Sequence, residues 1–406
     1  MKNYKVMVQK KKIQVVSFQS LSATSGAGMA RLGYMLSATL NNRGLLSNFI
    51  VHSKGKYDTP FKSVPVSFSS RFYLLALNKL VNTFNIPSYK FRLWQEMLFD
   101  WFCQWRIKKD TGILFTTNAF MHRTFKRAKK LGIIIVLLPG TPEENYIYEL
   151  VSEENKRMGI KTIDAYTYDK RVAYFNKSVA YIDKVIGSLP TVYTSYTTAN
   201  HSLEIIKILG HMTPDFKPAT IVPKTTADSF HIGYIAHTVI LKGLHYLLDA
   251  WKEISTNPQH GNITLHIGGS MDGAMQDYVD KHYAGLVNVI WEGHIADTAS
   301  FMQKIDVLVV PSLIDGAPMT ALEAAHNGVP CIITDHCGSS ELLSRNESGC
   351  WVIPIRDKTA ITERILYAYN NRETTRTVGM NAKQNIDRYS MQKFIDEVAD
   401  YLEQHI

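Results

Sequence analysis

The sequence predicts an α/β protein built from two doubly wound, parallel-sheet domains. Three observations predict it. The chain has 406 residues, too many for one compact core. Short β-branched runs alternate with helical patterns through most of its length. That alternation pauses once, over 209–229, where LGHMTPDFKPATIVPKTTADS holds three prolines and no clear period.

In the first half, IQVVSF (13–18) reads as a strand and MARLGYMLSATLNNRG (29–44) as a helix with Gly44 as its stop. SNFIVHS (47–53), GILFTTN (112–118) and GIIIVLL (132–138) are strands, with the helix HRTFKRAKKLG (122–132) between the last two. YIDKVIGSL (181–189) passes from helix to strand. In the second half, FHIGYIAH (230–237), ITLHIGG (263–269), VNVIWEG (287–293), DVLVVPS (306–312) and PCIITD (330–335) are strands. The helices between them are KGLHYLLDAWKEI (242–254), ADTASFMQKI (296–305) and PMTALEAAHNG (318–328). The expected division is a first domain over 1–208, a linker over 209–229, a second domain over 230–387 and a C-terminal helix over 388–406 that packs back on the first domain. Two such domains leave a cleft, and ligands in these sheets sit at the carboxyl ends of strands.

Composition adds limits. The longest strongly apolar run, LGIIIVLL (131–138), is too short to span a bilayer. The basic start MKNYKVMVQKKKIQVVSF reads as leading into a first strand, not as a signal peptide. Cys103, Cys331, Cys337 and Cys350 form no CxxC pair, which fits a reducing cytosol. The net charge of +9 is uneven. Residues 1–110 carry 17 Lys and Arg against 4 Asp and Glu, a net of +13, and the rest of the chain nets −4. Such asymmetry suggests a polyanionic partner for the first part.

Chemistry concentrates at DGAPMTALE (315–323). A buried strand ends in Pro311 and Ser312, Asp315 sits on the turn, and Pro318 suits the first turn of a helix. The free N–H groups near Met319 and Thr320 then face the cleft, where a helix start holds phosphate. Glu323 lies four residues after Met319 and three after Thr320, on the same face. Two acids beside a phosphate site suit a ligand with hydroxyls near its phosphates, such as a nucleotide sugar. The plainer alternative is that Asp315 caps the helix and Glu323 is solvated. In the first βα turn, SATSGAGMA (22–30), Gly26 and Gly28 allow a close backbone approach. A nicotinamide site would need a third glycine and a later acid. Arg31 and SNFIVHS stand in their places. Lys242 can neutralise a diphosphate.

These motifs, in this order, resemble the retaining glycosyltransferases of family four, which have the GT-B fold of two Rossmann-like doubly wound domains facing across a cleft. PSLIDGAPMTALEAAHNGVPCIITDHCGSSEL (311–342) matches the family's Pro-Ser, Glu-Gly-x-Pro, second Glu, Gly-x-Pro and Gly-x-x-Glu pattern nearly throughout. GYIAHTVILKGLHYLLDAW (233–251) resembles its glycine strand with Arg and Lys-Gly. The resemblance implies that Asp315 contacts the transferred sugar, Glu323 the ribose, and His237 and Lys242 the diphosphate. The Gly316, Ala317, Pro318, Met319 and Thr320 turn would belong to that donor site. Gly26, Ala27 and Gly28 would close over the phosphates, and Gly293 and His294 would pass near the base. No metal or other cofactor is implied, and no Asp-x-Asp triplet occurs. Three departures stand out. Asp315 replaces a Glu. His237 replaces an Arg, making a fixed charge titratable. LLPGTPEEN (137–145) lacks the His that many relatives place toward the acceptor.

YKFRLWQEMLFDWFCQWRIKKD (89–110) mixes aromatic and basic residues. Leu93, Met97, Trp101 and Trp105 fall near one helical stripe. With Arg92, Trp94, Lys108 and Lys109 they fit either a helix lying on an anionic membrane or a core helix. No nucleic-acid-binding motif appears. His326, Cys331, His336 and Cys337 lack a zinc spacing. The sequence is therefore expected to encode a retaining transferase. It would move a sugar from a nucleotide-diphosphate sugar to a glycan or polyprenyl-linked glycan at the cytoplasmic face of a membrane, in surface-polysaccharide synthesis. The alternatives are a silent nucleotide-sugar-binding partner subunit and a nucleotide-sugar epimerase.

Overall fold

The computed structural model describes residues 11–18, 28–52, 59–65, 76, 79, 83–84, 86–161, 163–211, 229–344 and 348–406. Among these, two parallel sheets form. The first contains β1 (Lys12–Ser17), β2 (Leu46–Val51), β3 (Ser63–Pro65), β4 (Thr111–Thr116), β5 (Ile134–Leu137), β6 (Lys184–Gly187) and β7 (Glu204–Lys207). Its order is β3-β2-β1-β4-β5-β6-β7. The second contains β8 (Phe230–Ile235), β9 (Ile263–Gly268), β10 (Val289–Gly293), β11 (Val307–Val310), β12 (Cys331–Thr334) and β13 (Cys350–Ile353), in the order β10-β9-β8-β11-β12-β13. The central strands are buried along nearly their whole length because helices cover both faces. Most of the linker, 212–228, lies outside the described residues, as do Gly26 and Ala27.

Each sheet reverses its winding once, between β1 and β4 and between β8 and β11. Those are the places where strand ends splay and leave room for a ligand. Two helices tie the halves together. The Glu144–Met158 helix follows β5 but packs Ile147, Leu150 and Val151 into the core of the second domain. The Met391–Gln404 helix is the last element, and it buries Phe394, Ile395, Val398 and Leu402 beside Leu32, Leu36 and Leu40 of the Gly28–Asn42 helix.

Glu154 is the main polar link between the halves. It is about 1 % exposed and accepts from His245 at 3.2 Å, Tyr246 at 2.6 Å and Arg356 at 2.8 Å. Burial alone would raise its pKa, but these donors outweigh burial and bring it down to about 2. Tyr146 and Tyr193 also reach across, to His336 at 3.4 Å and Glu341 at 3.3 Å.

Candidate donor site

The site forms where β8 and β11 end. After β11 the chain leaves the sheet through Pro311 and Ser312, and Leu313 and Ile314 return to the core. Asp315 follows. The neighbouring loop grips its backbone: Asp315 N–H donates to the His336 carbonyl, and Gly338 N–H donates to the Asp315 carbonyl, both at 3.0 Å. This fit needs glycine, since a Cβ on Gly338 would strike the Gly316 carbonyl.

Lys242 comes from the segment after β8. It closes a 3-10 turn, Ile240–Lys242, and does not open the next helix as the sequence pattern suggests. Gly243 sits between, at φ 67°, and the helix proper runs Leu244–Ser255. A Cβ on Gly243 would overlap the Pro311 carbonyl. The Lys-Gly pair and the Pro-Ser pair are therefore one packing unit, which holds the Lys242 ammonium on the Asp315 carboxylate as an ion pair. Burial acts to lower the Lys242 pKa, but the Asp315 charge and hydrogen bond outweigh it, so the net shift is upward.

Above this pair starts the Met319–His326 helix. Pro318 stands at its N-cap position, and no side chain caps it. Asp315, engaged with Lys242, is thus not the capping residue. The uncapped amides at the helix start suit an anion. A cavity of about 270 Å³ opens beneath, lined by His237, Lys242, Asp315, Pro318, Met319 and Thr320 among others. Gly316 and Ala317 complete the turn, and Ala317 also lines the cavity.

A second cavity of about 410 Å³ adjoins it, with Ser270, Gln276, Trp291 and Gly293 in its wall. His237 stands between the two, its Nδ1 2.8 Å from Ser270 Oγ. Gly269 is at φ 105°, where a Cβ would strike the Ala236 carbonyl. The sequence reading missed Ser270. The Gly-Gly at the end of ITLHIGG was the available signal. His294 is exposed and belongs to neither cavity wall.

Glu323 is half-buried, one turn into the helix, and does not line the smaller cavity. Burial pushes its carboxyl pKa up, and a hydrogen bond from Thr298 offsets this only in part. From the first domain, Gly28 opens the Gly28–Asn42 helix. The Met29 Sδ lies 2.8 Å from where a Cβ on Gly140 would be. The Gly140 carbonyl is 3.0 Å from the Cβ position of Gly316. The turn after β5 therefore meets the Gly316 turn directly, and the first helix start packs behind it on Gly140.

Other candidate groups resolve as structure. Among the described residues no three His, Cys, Asp or Glu converge to hold a metal. Cys337 is buried, and burial with the Asp315 charge pushes its thiol up to about 12. His326 faces Asp387, and His336 bonds to the Leu313 carbonyl.

Residues 229–371 match the family described as glycosyl transferases group 1. That match falls within the second domain. The chain is 28% identical over 180 residues to the capsular polysaccharide biosynthesis glycosyltransferase CapM of Staphylococcus aureus, covering 43% of this chain and 46% of CapM. It is 27% identical over 173 residues to the putative glycosyltransferase EpsD of Bacillus subtilis, covering 43% and 45%. The chain thus spans less than half the length of these curated relatives. The Anabaena protein Alr3699/HepE, solved in complex with UDP, superposes with a TM-score of 0.61 at 14% identity over 97% of this chain and 100% of that one. The likeness extends over both domains and establishes the GT-B fold.

Proposed function

We propose that the protein is a metal-independent, retaining glycosyltransferase that takes a nucleoside-diphosphate sugar as donor. The carrying observation is the Lys242–Asp315 pair at the base of a cavity beneath an uncapped helix start. A diphosphate would bind the Lys242 ammonium and the amides near Met319 and Thr320. The adjoining cavity at Gly293 and Ser270 would take the base, Glu323 the ribose hydroxyls, and Asp315 the sugar. The Anabaena neighbour was also solved in complex with UDP-glucose, which supports a donor of this class.

In the transfer, the bond from the anomeric carbon to the phosphate oxygen breaks. The acceptor oxygen bonds to that carbon on the same face, and its proton passes to the leaving phosphate oxygen. Lys242 and the helix start stabilise the charge that develops there. The acceptor is a glycan or polyprenyl-linked glycan in cell-surface polysaccharide synthesis, the setting named for CapM.

The test is incubation with a panel of nucleoside-diphosphate sugars and oligosaccharide or polyprenyl-linked acceptors in chelator, with proton NMR of the product's anomeric centre. Transfer with retained configuration supports the reading. Epimerised free sugar, released with and without acceptor, would point to the epimerase alternative. No turnover together with donor binding would identify a silent binding subunit.

A further inference from the structure

The Ser88–Cys103 helix turns its acids inward and its tryptophans outward. Glu96 and Asp100 are fully buried, whereas Trp94, Trp101 and Trp105 are 41%, 46% and 63% exposed. The inversion has a physical cause. Glu96 takes two hydrogen bonds from Arg171, each at 3.1 Å, and one from Arg92 at 2.9 Å. Asp100 accepts the N–H groups of Arg123 and Thr124, both at 2.8 Å, and so caps the His122–Lys130 helix from outside. Tyr174 OH also donates to it. Rotating the helix to bury the tryptophans would strand two carboxylates without these partners.

The stripe expected from Leu93, Met97, Trp101 and Trp105 is therefore split. Leu93 is buried with Phe99 and Cys103. The outward stripe on the helix is Trp94, Leu98 and Trp101, with spacings of four and three that keep one face, and exposed Trp105 follows in the 3-10 turn Gln104–Arg106.

Positive charge meets that stripe at its Trp105 end. The Arg127 guanidinium lies 5.5 Å over the Trp105 ring. Lys126 and Lys130, on the same helix as Arg127, are exposed, and so is Lys109. Lys108 contributes less than its sequence position suggests, because its ammonium bonds Ser47 Oγ at 3.1 Å. Arg92 is likewise committed to Glu96. Two of the three acids within 88–130 are buried and paired, so the outer face is basic. No helix among the described residues is long and apolar enough to cross a membrane.

We propose that this face docks on the surface of an anionic lipid bilayer, with Trp94, Trp101 and Trp105 entering the headgroup region and Lys109, Lys126, Arg127 and Lys130 facing lipid phosphates. Tryptophan suits that depth because its ring is apolar and its N–H finds polar partners there. A basic rim is complementary to anionic headgroups. Docking stands apart from the transfer chemistry, since none of these residues lines the donor cavities.

The test is flotation of the full chain with vesicles of phosphatidylcholine, with and without about a third phosphatidylglycerol, at about 0.1 M salt. Tryptophan fluorescence is recorded in parallel. Two variants are compared, Trp101→Ser with Trp105→Ser, and Lys109→Gln with Lys126→Gln and Lys130→Gln. Thermal unfolding and UDP binding of both should match the wild type, which separates docking from folding and from the donor site. The expected result is binding to the anionic vesicles only, with a blue-shifted emission. The tryptophan variant should lose on the order of tenfold or more in partitioning. The lysine variant should lose on the order of a hundredfold, about fivefold per lysine. Absent binding to anionic vesicles, or equal partitioning of the tryptophan variant, overturns the proposal. So does tighter binding to a random-sequence duplex that ignores the tryptophans, which would assign the charge to nucleic acid.

Discussion

In the free site Lys242 and Asp315 neutralise each other, with side chains 26% and 13% exposed. A diphosphate would be drawn to Lys242 and repelled by Asp315. The two substitutions therefore pull in opposite directions. At about 6 Å and an effective dielectric of about 40, one like-charge pair costs about 1.4 kcal/mol. Asp315→Asn keeps the shape and removes that repulsion, so UDP should bind about tenfold more tightly. Transfer should nonetheless fall by on the order of a hundredfold, because the group proposed to position the sugar is changed. Lys242→Met removes a charge-assisted hydrogen bond worth about 2–3 kcal/mol, so UDP should bind roughly 30- to 150-fold more weakly. Isothermal titration calorimetry with UDP reads both. If Asp315→Asn weakens UDP as much as Lys242→Met does, the pair only braces the loop and the reasoning fails.

Glu323→Gln separates stability from binding. Burial holds the carboxyl pKa above its usual 4.5, so the ionised form costs stability once pH exceeds the folded value. The variant should melt at or slightly above the wild-type temperature at pH 7 yet bind a nucleoside-diphosphate sugar about tenfold more weakly, and a melting point several degrees lower would contradict this. Glu154 behaves oppositely, with a folded pKa of about 2 against the usual 4.5. It contributes about 3 kcal/mol above pH 4.5, lost as pH falls toward 2, and denaturant titration of Glu154→Gln should show that loss at pH 7 but little difference near pH 2. Gly243→Ala should cost about 2–4 kcal/mol, from its φ of 67° and the collision with the Pro311 carbonyl. Stability within about 0.5 kcal/mol of wild type would show that the turn has another way to form.

The two-domain architecture was legible because parallel strands buried on both faces leave apolar β-branched runs, as in FHIGYIAH and DVLVVPS. Of the margin strands, β10 was legible as VNVIWEG, but β3 and β7 were not. β7, EIIK, has only two apolar residues between exposed charges, and β3 has three residues, too few for a period. The site was legible where chemistry forces residue identity: Gly243 beneath Pro311, and Gly338 against Gly316. Two placements depended on tertiary partners that no local pattern carries. Asp315 pairs with Lys242 from the turn after β8 and leaves the helix start uncapped. Asp100 and Glu96 are buried by Arg123, Thr124, Tyr174 and Arg171, all distant in sequence, and this turns the tryptophans outward. The tyrosines between 146 and 196 show the same limit, since Tyr196 is core whereas Tyr146 reaches His336 across the domains.

The central claim is a metal-independent nucleotide-sugar site at the Met319–His326 helix start. A thermal-shift panel of nucleoside diphosphates and their sugars in excess chelator, on the wild type and Glu323→Ala, tests it most directly. A ligand that binds the native state raises the melting temperature by mass action, about 2.7 kcal/mol at a hundred times its Kd. The account predicts a clear shift with one nucleotide class and a smaller one in the variant. No shift with any nucleotide sugar, in a protein that melts cooperatively, would contradict it.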